Sequence, residues 1–207
     1  MAKTHRTSRE KGPEKYAKKE TLIMEEAMKL FFIYGFKKTT VDDIVNKTGM
    51  AKASFYKYFD SKDDLFNKFL SMIEETGISR IKNAIKVKKT AKEKLKALVM
   101  EQMKFFVEFF ETRTSNHYVN KNYLLEVEVS RNRFFDMQKC MIKKIFSDGV
   151  KADEIKKMGE NEIEILTDAF VIMTKALERL WVFERKVCEI EPQVDFYMDI
   201  LFEGLGK

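Results

Sequence analysis

KTTVDDIVNKTGMAKASFYKYFDSKDD, residues 38–64, carries more structural punctuation than any other part of this chain of 207 residues. Thr40-Val41-Asp42-Asp43 has the form of a capping box, in which the threonine oxygen takes an orphan amide and the carboxylate favours the positive end of a helix. A short helix then runs to about Thr48 with Val41, Ile44 and Val45 facing inward, and Gly49 supplies a tight turn. The spacing predicts a second helix over 51–59, whose Phe55 and Phe59 stand four apart and share a face. A second box, Ser61-Lys62-Asp63-Asp64, opens a long helix through Leu65, Phe66, Phe69, Met72 and Ile73. Two short helices joined by a glycine turn are the geometry of a helix-turn-helix, whose second helix fits the major groove of duplex DNA.

The outward side of 51–58 fits that use. Lys52, Ala53, Ser54, Tyr56, Lys57 and Tyr58 present two ammonium groups, three hydroxyls and one small side chain, with no carboxylate to repel phosphate. For Tyr56 and Tyr58, half-buried packing is the alternative reading.

Upstream, Ile23, Ala27, Leu30, Phe31 and Tyr34 recur at helical spacing from Glu14, and Gly35 follows as a stop. Gly12-Pro13 is expected to divide this helix from a polar arm, because glycine and proline both disfavour continuation. The formal net charge is +6, and residues 1–70 hold 15 Lys and Arg against 10 Asp and Glu. The cationic surplus is thus local, as expected where a polyanion is held.

Downstream the pattern stays helical. Helices are expected over 90–111, 123–146 with an end near Gly149, 161–185 and 192–205; only Val127-Glu128-Val129 alternates briefly. Along 161–185, Ile165, Leu166, Ala169, Phe170, Ile172, Met173, Ala176, Leu177 and Leu180 fall within one half-turn at about 100° per residue. Thr167, Asp168, Thr174, Lys175, Glu178 and Arg179 fill the other half. A stripe that wide serves two surfaces, one in its own domain and one beyond it. The last helix offers a matching face through Val194, Tyr197, Met198, Leu201, Phe202 and Leu205. Two such helices from each of two chains make an intermolecular four-helix bundle; completion of a single-chain core is the alternative. Between these helices, Met103, Phe105, Phe106, Phe109, Phe110, Tyr123, Phe134, Phe135, Met137 and Met141 are rich in rings and sulfur. Such residues line adaptable apolar chambers, and equally fill cores.

Composition closes off other classes. With 18 Phe and 12 Met against 8 Gly and 2 Pro, the chain reads as long helices. The longest apolar runs, Leu30–Tyr34 and Ala169–Met173, are far short of the roughly 18 residues a spanning helix needs. No apolar stretch follows the basic N-terminus, so the expected compartment is the cytoplasm. Cys140 and Cys188 lack metal-ligand spacing and read as reduced core thiols. With His5 and His117 the sole histidines, no metal site is expected, and no cofactor either. HExxH, a phosphate-cradling glycine loop and Gly-x-Ser-x-Gly are all missing, which argues against an enzyme.

From Ile23 to Leu65 the chain resembles the N-terminal domain of TetR-family transcriptional regulators. The family's ordered pattern of Gly-aromatic, Thr-Thr-Val, Ile, Gly, Lys, Tyr, Phe and Ser-Lys before an acid and Leu appears here as AMKLFFIYGFKKTTVDDIVNKTGMAKASFYKYFDSKDDL, residues 27–65. The resemblance implies that Thr40, Lys52, Ser54, Tyr56, Tyr58 and Lys62 lie where the family touches DNA, with Lys62 gripping phosphate. Val45 and Thr48 stand where the family has Ala, and Ala51 replaces a Ser or Thr that caps the recognition helix.

The resulting expectation is an all-α protein: an arm over 1–13, a three-helix helix-turn-helix domain over 14–62, and a larger helical ligand-binding and dimerisation domain over 63–207. By the same resemblance it is a homodimeric repressor on a palindromic operator, released by a hydrophobic small molecule. The expected effector contacts are Phe106, Phe110, Tyr123, Met137, Met173 and Trp181. The expected dimer contacts are Ile165, Ala169, Ile172, Ala176, Val194, Tyr197, Met198, Leu201 and Phe202. A DNA-binding factor without an effector, controlled by a protein partner, and a helical scaffold protein remain the alternatives.

Overall fold

A computed structural model describes residues 11–111, 132–184 and 190–205. Among these described residues there are eight helices and no strand: α1 Lys11–Tyr34, α2 Val41–Thr48, α3 Lys52–Phe55, α4 Lys62–Lys86, α5 Ala91–Glu111, α6 Asn132–Lys151, α7 Glu160–Glu184 and α8 Ile190–Leu205. The all-α expectation holds. The described residues divide into two compact units, one up to Met72 and one from Ile73 onward. No described helix is long and apolar enough to cross a membrane.

In the first unit, α1 begins at Lys11, so Gly12 and Pro13 lie in its first turn instead of ahead of it. A proline there costs nothing, because the first-turn amides have no intrahelical acceptor. Ile23, Ala27, Met28, Phe31 and Phe32 form the buried side, while Tyr34 is exposed. The helix stops at Gly35, whose φ of 88° suits glycine and whose amide donates to the Phe31 carbonyl at 2.9 Å. Phe31 packs its ring against Phe36 and Phe66, and Ile44, Phe55, Phe59, Leu65 and Phe69 complete the core.

In the second unit α5 lies at the centre, against α6, α7 and α8, while α6 also packs on α7. Its Leu95, Leu98, Val99 and Met103 are buried with Ile81, Ile142, Phe146 and Phe170.

Several expectations change here. Gly149 does not end α6, which continues to Lys151. Its lack of a side chain serves packing instead: a Cβ would come within 2.8 Å of Ile155 Cδ1 and 2.9 Å of Ala91 Cβ. Cys140 is exposed, because it shares the solvent stripe of α6 with Asp136, Lys144 and Asp148 at intervals of four. α8 starts two residues before Pro192, again placing proline within a first turn. Cys188, Val127-Glu128-Val129 and the expected start of a helix at Tyr123 lie outside the described residues.

The largest correction concerns α7. Its buried side is Ile163, Thr167, Phe170, Val171, Thr174 and Glu178, so three residues assigned to the polar half face the core. Thr167 and Thr174 are accommodated because their hydroxyls donate back to the carbonyls of Ile163 and Val171. Ile165, Ile172 and Leu180 are correspondingly left exposed, at 70%, 66% and 51%.

Candidate nucleic-acid interface

The helix-turn-helix is assembled largely by local hydrogen bonds. At the start of α2 the Asp43 amide donates to Thr40 Oγ1 at 3.2 Å, and Asp43 Oδ2 accepts from the Thr40 amide at 2.8 Å and from its hydroxyl at 2.7 Å. These bonds hold the Asp43 carboxyl below its usual range. Thr40 is exposed, so its Oγ1 stands at the surface while engaged in the cap. Gly49, at φ 64°, closes α2 in the left-handed conformation that glycine adopts without strain.

The recognition segment is shorter than the sequence suggests. α3 is a single turn, Lys52–Phe55, followed by tight turns in which the Lys57 and Tyr58 amides reach the Ser54 and Phe55 carbonyls. Ala51 caps it without any side-chain bond, as its departure from the family pattern implies. A helix this short leaves its last carbonyls without helical partners. Two side chains from elsewhere hold the turns that follow it. Tyr16 Oη donates to the Lys57 carbonyl at 2.5 Å and Lys68 Nζ donates to the Tyr58 carbonyl at 3.0 Å. The Tyr16 ring also stacks on Tyr58, with centroids 4.4 Å apart, and Lys68 lies over Phe59.

On this support Phe55 and Phe59 are buried, while Lys52, Ala53, Tyr56 and Lys57 are exposed and Ser54 is half-buried. Tyr56 is half open at 50%, with its ring edge-on to Phe55. Tyr58 takes the packing alternative, half-buried against Tyr16. Lys52 forms an ion pair with Asp42 of α2 at 2.8 Å, which raises its pKa and keeps it charged. Lys62 is half-buried, and its ammonium donates to the carbonyls of Phe36 at 2.6 Å and Thr39 at 2.8 Å over the Phe36 ring. Two of its three N–H groups therefore tie the start of α4 to the α1–α2 loop, a structural duty the sequence did not signal.

The expected dimer residues divide. Val194 and Met198 are fully enclosed in the second unit, at 0% and 1%, so they are core residues and not an open face. The cause is the rotation of α8, which turns Phe196 and Ile200 outward in their place, while Tyr197 is exposed. Ala169, Ala176, Ile165 and Ile172 are exposed on α7, while Leu201 and Phe202 are half-buried against the core. Among the expected effector contacts, Phe106 is half-buried, and Met137 and Met173 pack on the apolar cluster. The side chains of Phe110 and Trp181, and all of Tyr123, lie outside the described residues.

The sequence offers Gln138 as a polar group near this cluster, but gives no sign that Gln102 and Glu178 join it. Gln102, Gln138 and Glu178 are buried together: Gln138 Nε2 donates to Gln102 Oε1 at 2.9 Å, and Gln102 Nε2 donates to Glu178 Oε2 at a long 3.4 Å. Gln138 Oε1 has no hydrogen-bond partner. A buried acceptor left so costs about 1–3 kcal/mol.

Residues 23–69 match the sequence model of "Bacterial regulatory proteins, tetR family". Over these residues the chain is similar to the TetR family. Among similar proteins, the HTH-type transcriptional regulator YuxN of Bacillus subtilis is 38% identical over 65 residues, which is 31% of this chain and 22% of that protein. The fatty acid metabolism regulator protein of Bacillus subtilis is 25% identical over 143 residues, 65% of this chain and 70% of its own length. In fold, the chain is similar to the transcriptional regulator FadR from Bacillus subtilis in complex with stearoyl-CoA. That likeness has a TM-score of 0.67 at 21% identity and covers 89% of this chain and 98% of the other. These relatives are named as transcriptional regulators.

Proposed function

We propose that this regulator is a homodimeric repressor whose two recognition segments read a palindromic operator, and that a largely apolar small molecule releases it. The observation that carries the reading is the recognition segment itself. Lys52, Ala53, Tyr56 and Lys57 are exposed over a buried Phe55 and Phe59, with the ends of the segment held by Tyr16 and Lys68. In this reading Lys52 and Lys57 face phosphate, Tyr56 and Ser54 offer hydroxyls to bases or backbone, and Ala53 allows close approach. Thr40 and Tyr58 sit at the margins, and Lys62 uses its remaining N–H toward phosphate.

Dimerisation is supported by large exposed apolar side chains on α7 and α8, since a protein alone in water seldom leaves such faces open. Two recognition segments about 34–36 Å apart then meet successive major-groove faces. An effector held in the second unit releases DNA only by binding the non-operator conformation better. The relatives' names point to long acyl chains as the first candidates. The proposed layout is the arm 1–13, the DNA-binding domain 14–62 and the effector and dimerisation domain 63–207, acting in the cytoplasm.

Selection of genomic fragments by the purified protein tests the reading. Recovery of a palindrome, followed by its release on adding stearoyl-CoA or another apolar compound, is the expected result. Failure to retain any duplex at low salt would overturn it.

A further inference from the structure

The buried chain Gln138–Gln102–Glu178 has a chemical direction. Gln102 turns its amide nitrogen toward Glu178 Oε2 and its oxygen away. Gln138 must then offer its own nitrogen to that oxygen, which it does at 2.9 Å. Turning either amide over would set oxygen against oxygen. In this arrangement the end of the chain is an acceptor, Gln138 Oε1, in a residue of 0% exposure and with no partner. It lies on the buried side of α6, one turn from Phe134 and one from Ile142, within the ring- and methionine-rich cluster.

We propose that Gln138 Oε1 is the polar anchor of the effector site, and that it takes a hydrogen-bond donor. The effector class is then an apolar molecule that brings an O–H or N–H group into this interior: an alcohol, an amine or an amide. This rests on the effector-release reading above and deepens it. A bare carboxylate is disfavoured, because its lone pairs would oppose those of Gln138 Oε1. Sites built around one buried polar group discriminate strongly against ligands that leave the group unpaired.

The test compares 1-decanol, decylamine and decanoate on the full chain, by thermal melting and by release from a selected operator fragment. 1-Decanol and decylamine should raise the melting temperature and release DNA at concentrations about ten-fold or more below any effect of decanoate. Gln138→Leu should bring the alcohol and the acid to within a few-fold of each other; if that variant does not fold, the near-isosteric Gln138→Met takes its place. Decanoate acting as well as decanol on the parent protein, or a folded variant keeping the parent's preference, would overturn the anchor while leaving effector release intact. If no decyl compound and no stearoyl-CoA shifts either readout, the effector reading falls and the anchor falls with it.

Discussion

Tyr16 is the residue whose contribution is most separable. Its hydroxyl bond to the Lys57 carbonyl and its stack on Tyr58 are distinct contacts on one side chain. Tyr16→Phe removes only the bond, and should weaken operator binding by up to about ten-fold, corresponding to roughly 0.5–1.5 kcal/mol. Tyr16→Ala removes both and should cost more, with the protein still folded; fluorescence anisotropy on an operator duplex measures each. Lys62 invites the complementary experiment. If its ammonium chiefly ties two loop carbonyls, Lys62→Met lowers the melting temperature as well as operator affinity. A residue that only touched phosphate would leave stability alone and reduce the salt slope of binding by about one. At this scale the sequence was readable where partners are three residues apart. Thr40 and Asp43 form the box their spacing implies, and Thr90 and Glu93 form another by the same rule. In the second expected box, Asp64 takes the Asp60 amide instead of that of Ser61. Tyr16 and Lys57 are 41 positions apart, and no local rule connects them.

At the scale of helices, the hydrophobic period locates α1, α4, α5 and α7 well but orients α7 poorly. Counting apolar residues finds the greasier half-turn. The structure buries a mixed stripe, because Thr167 and Thr174 satisfy themselves on their own backbone and Glu178 meets Gln102. Gly149 was misread for a related reason, since closeness to a neighbour leaves no trace in a periodic pattern. Gly149→Ala tests it: helix propensity alone favours alanine by about 1 kcal/mol, yet a Cβ against Ala91 and Ile155 should make the variant less stable by roughly 1–3 kcal/mol in chemical denaturation. The α6–α7 junction is also held by charge. Lys139 reaches Glu164 and Asp168 at 2.6 and 2.7 Å, and Lys143 reaches Glu164 at 2.7 Å. Hydrogen bonds from Lys139 and then Lys143 bring the Glu164 pKa from an ordinary 4.5 down to about 2. A lowered carboxyl pKa stabilises above the ordinary value, and the contribution disappears as pH falls through the lowered one. The melting-temperature gap between the parent and Glu164→Gln should therefore be constant above about pH 5 and close by about pH 2. A gap unchanged at the acid end would mean the ion pairs are not its source.

For the molecule as a whole, the fold class and the helix-turn-helix were legible because capping, glycine turns and aromatic spacing act within a few residues. The outward faces of α7 and α8 were legible only in part: Val194 and Met198 prove to be interior while Phe196 and Ile200 face outward. Ile172 and Val194 thus predict opposite outcomes. Ile172→Glu places a charge on a residue 66% exposed in the single chain, so it should leave helicity and melting of the subunit intact while sedimentation shows monomers and operator affinity drops. Val194→Glu buries that charge and should prevent stable folding. The one-turn α3 carries a further consequence. Its shape is imposed from outside, by a phenol and an ammonium anchored on longer helices, and by two phenylalanines that point away from the groove. Apart from the Lys52–Asp42 pair and the Tyr56–Phe55 ring contact, the side chains at positions 52, 53, 56 and 57 have little part in keeping the backbone in place. On the proposed reading they behave as type set in a fixed frame, and rewriting those four letters is the expected route from this scaffold to a new operator.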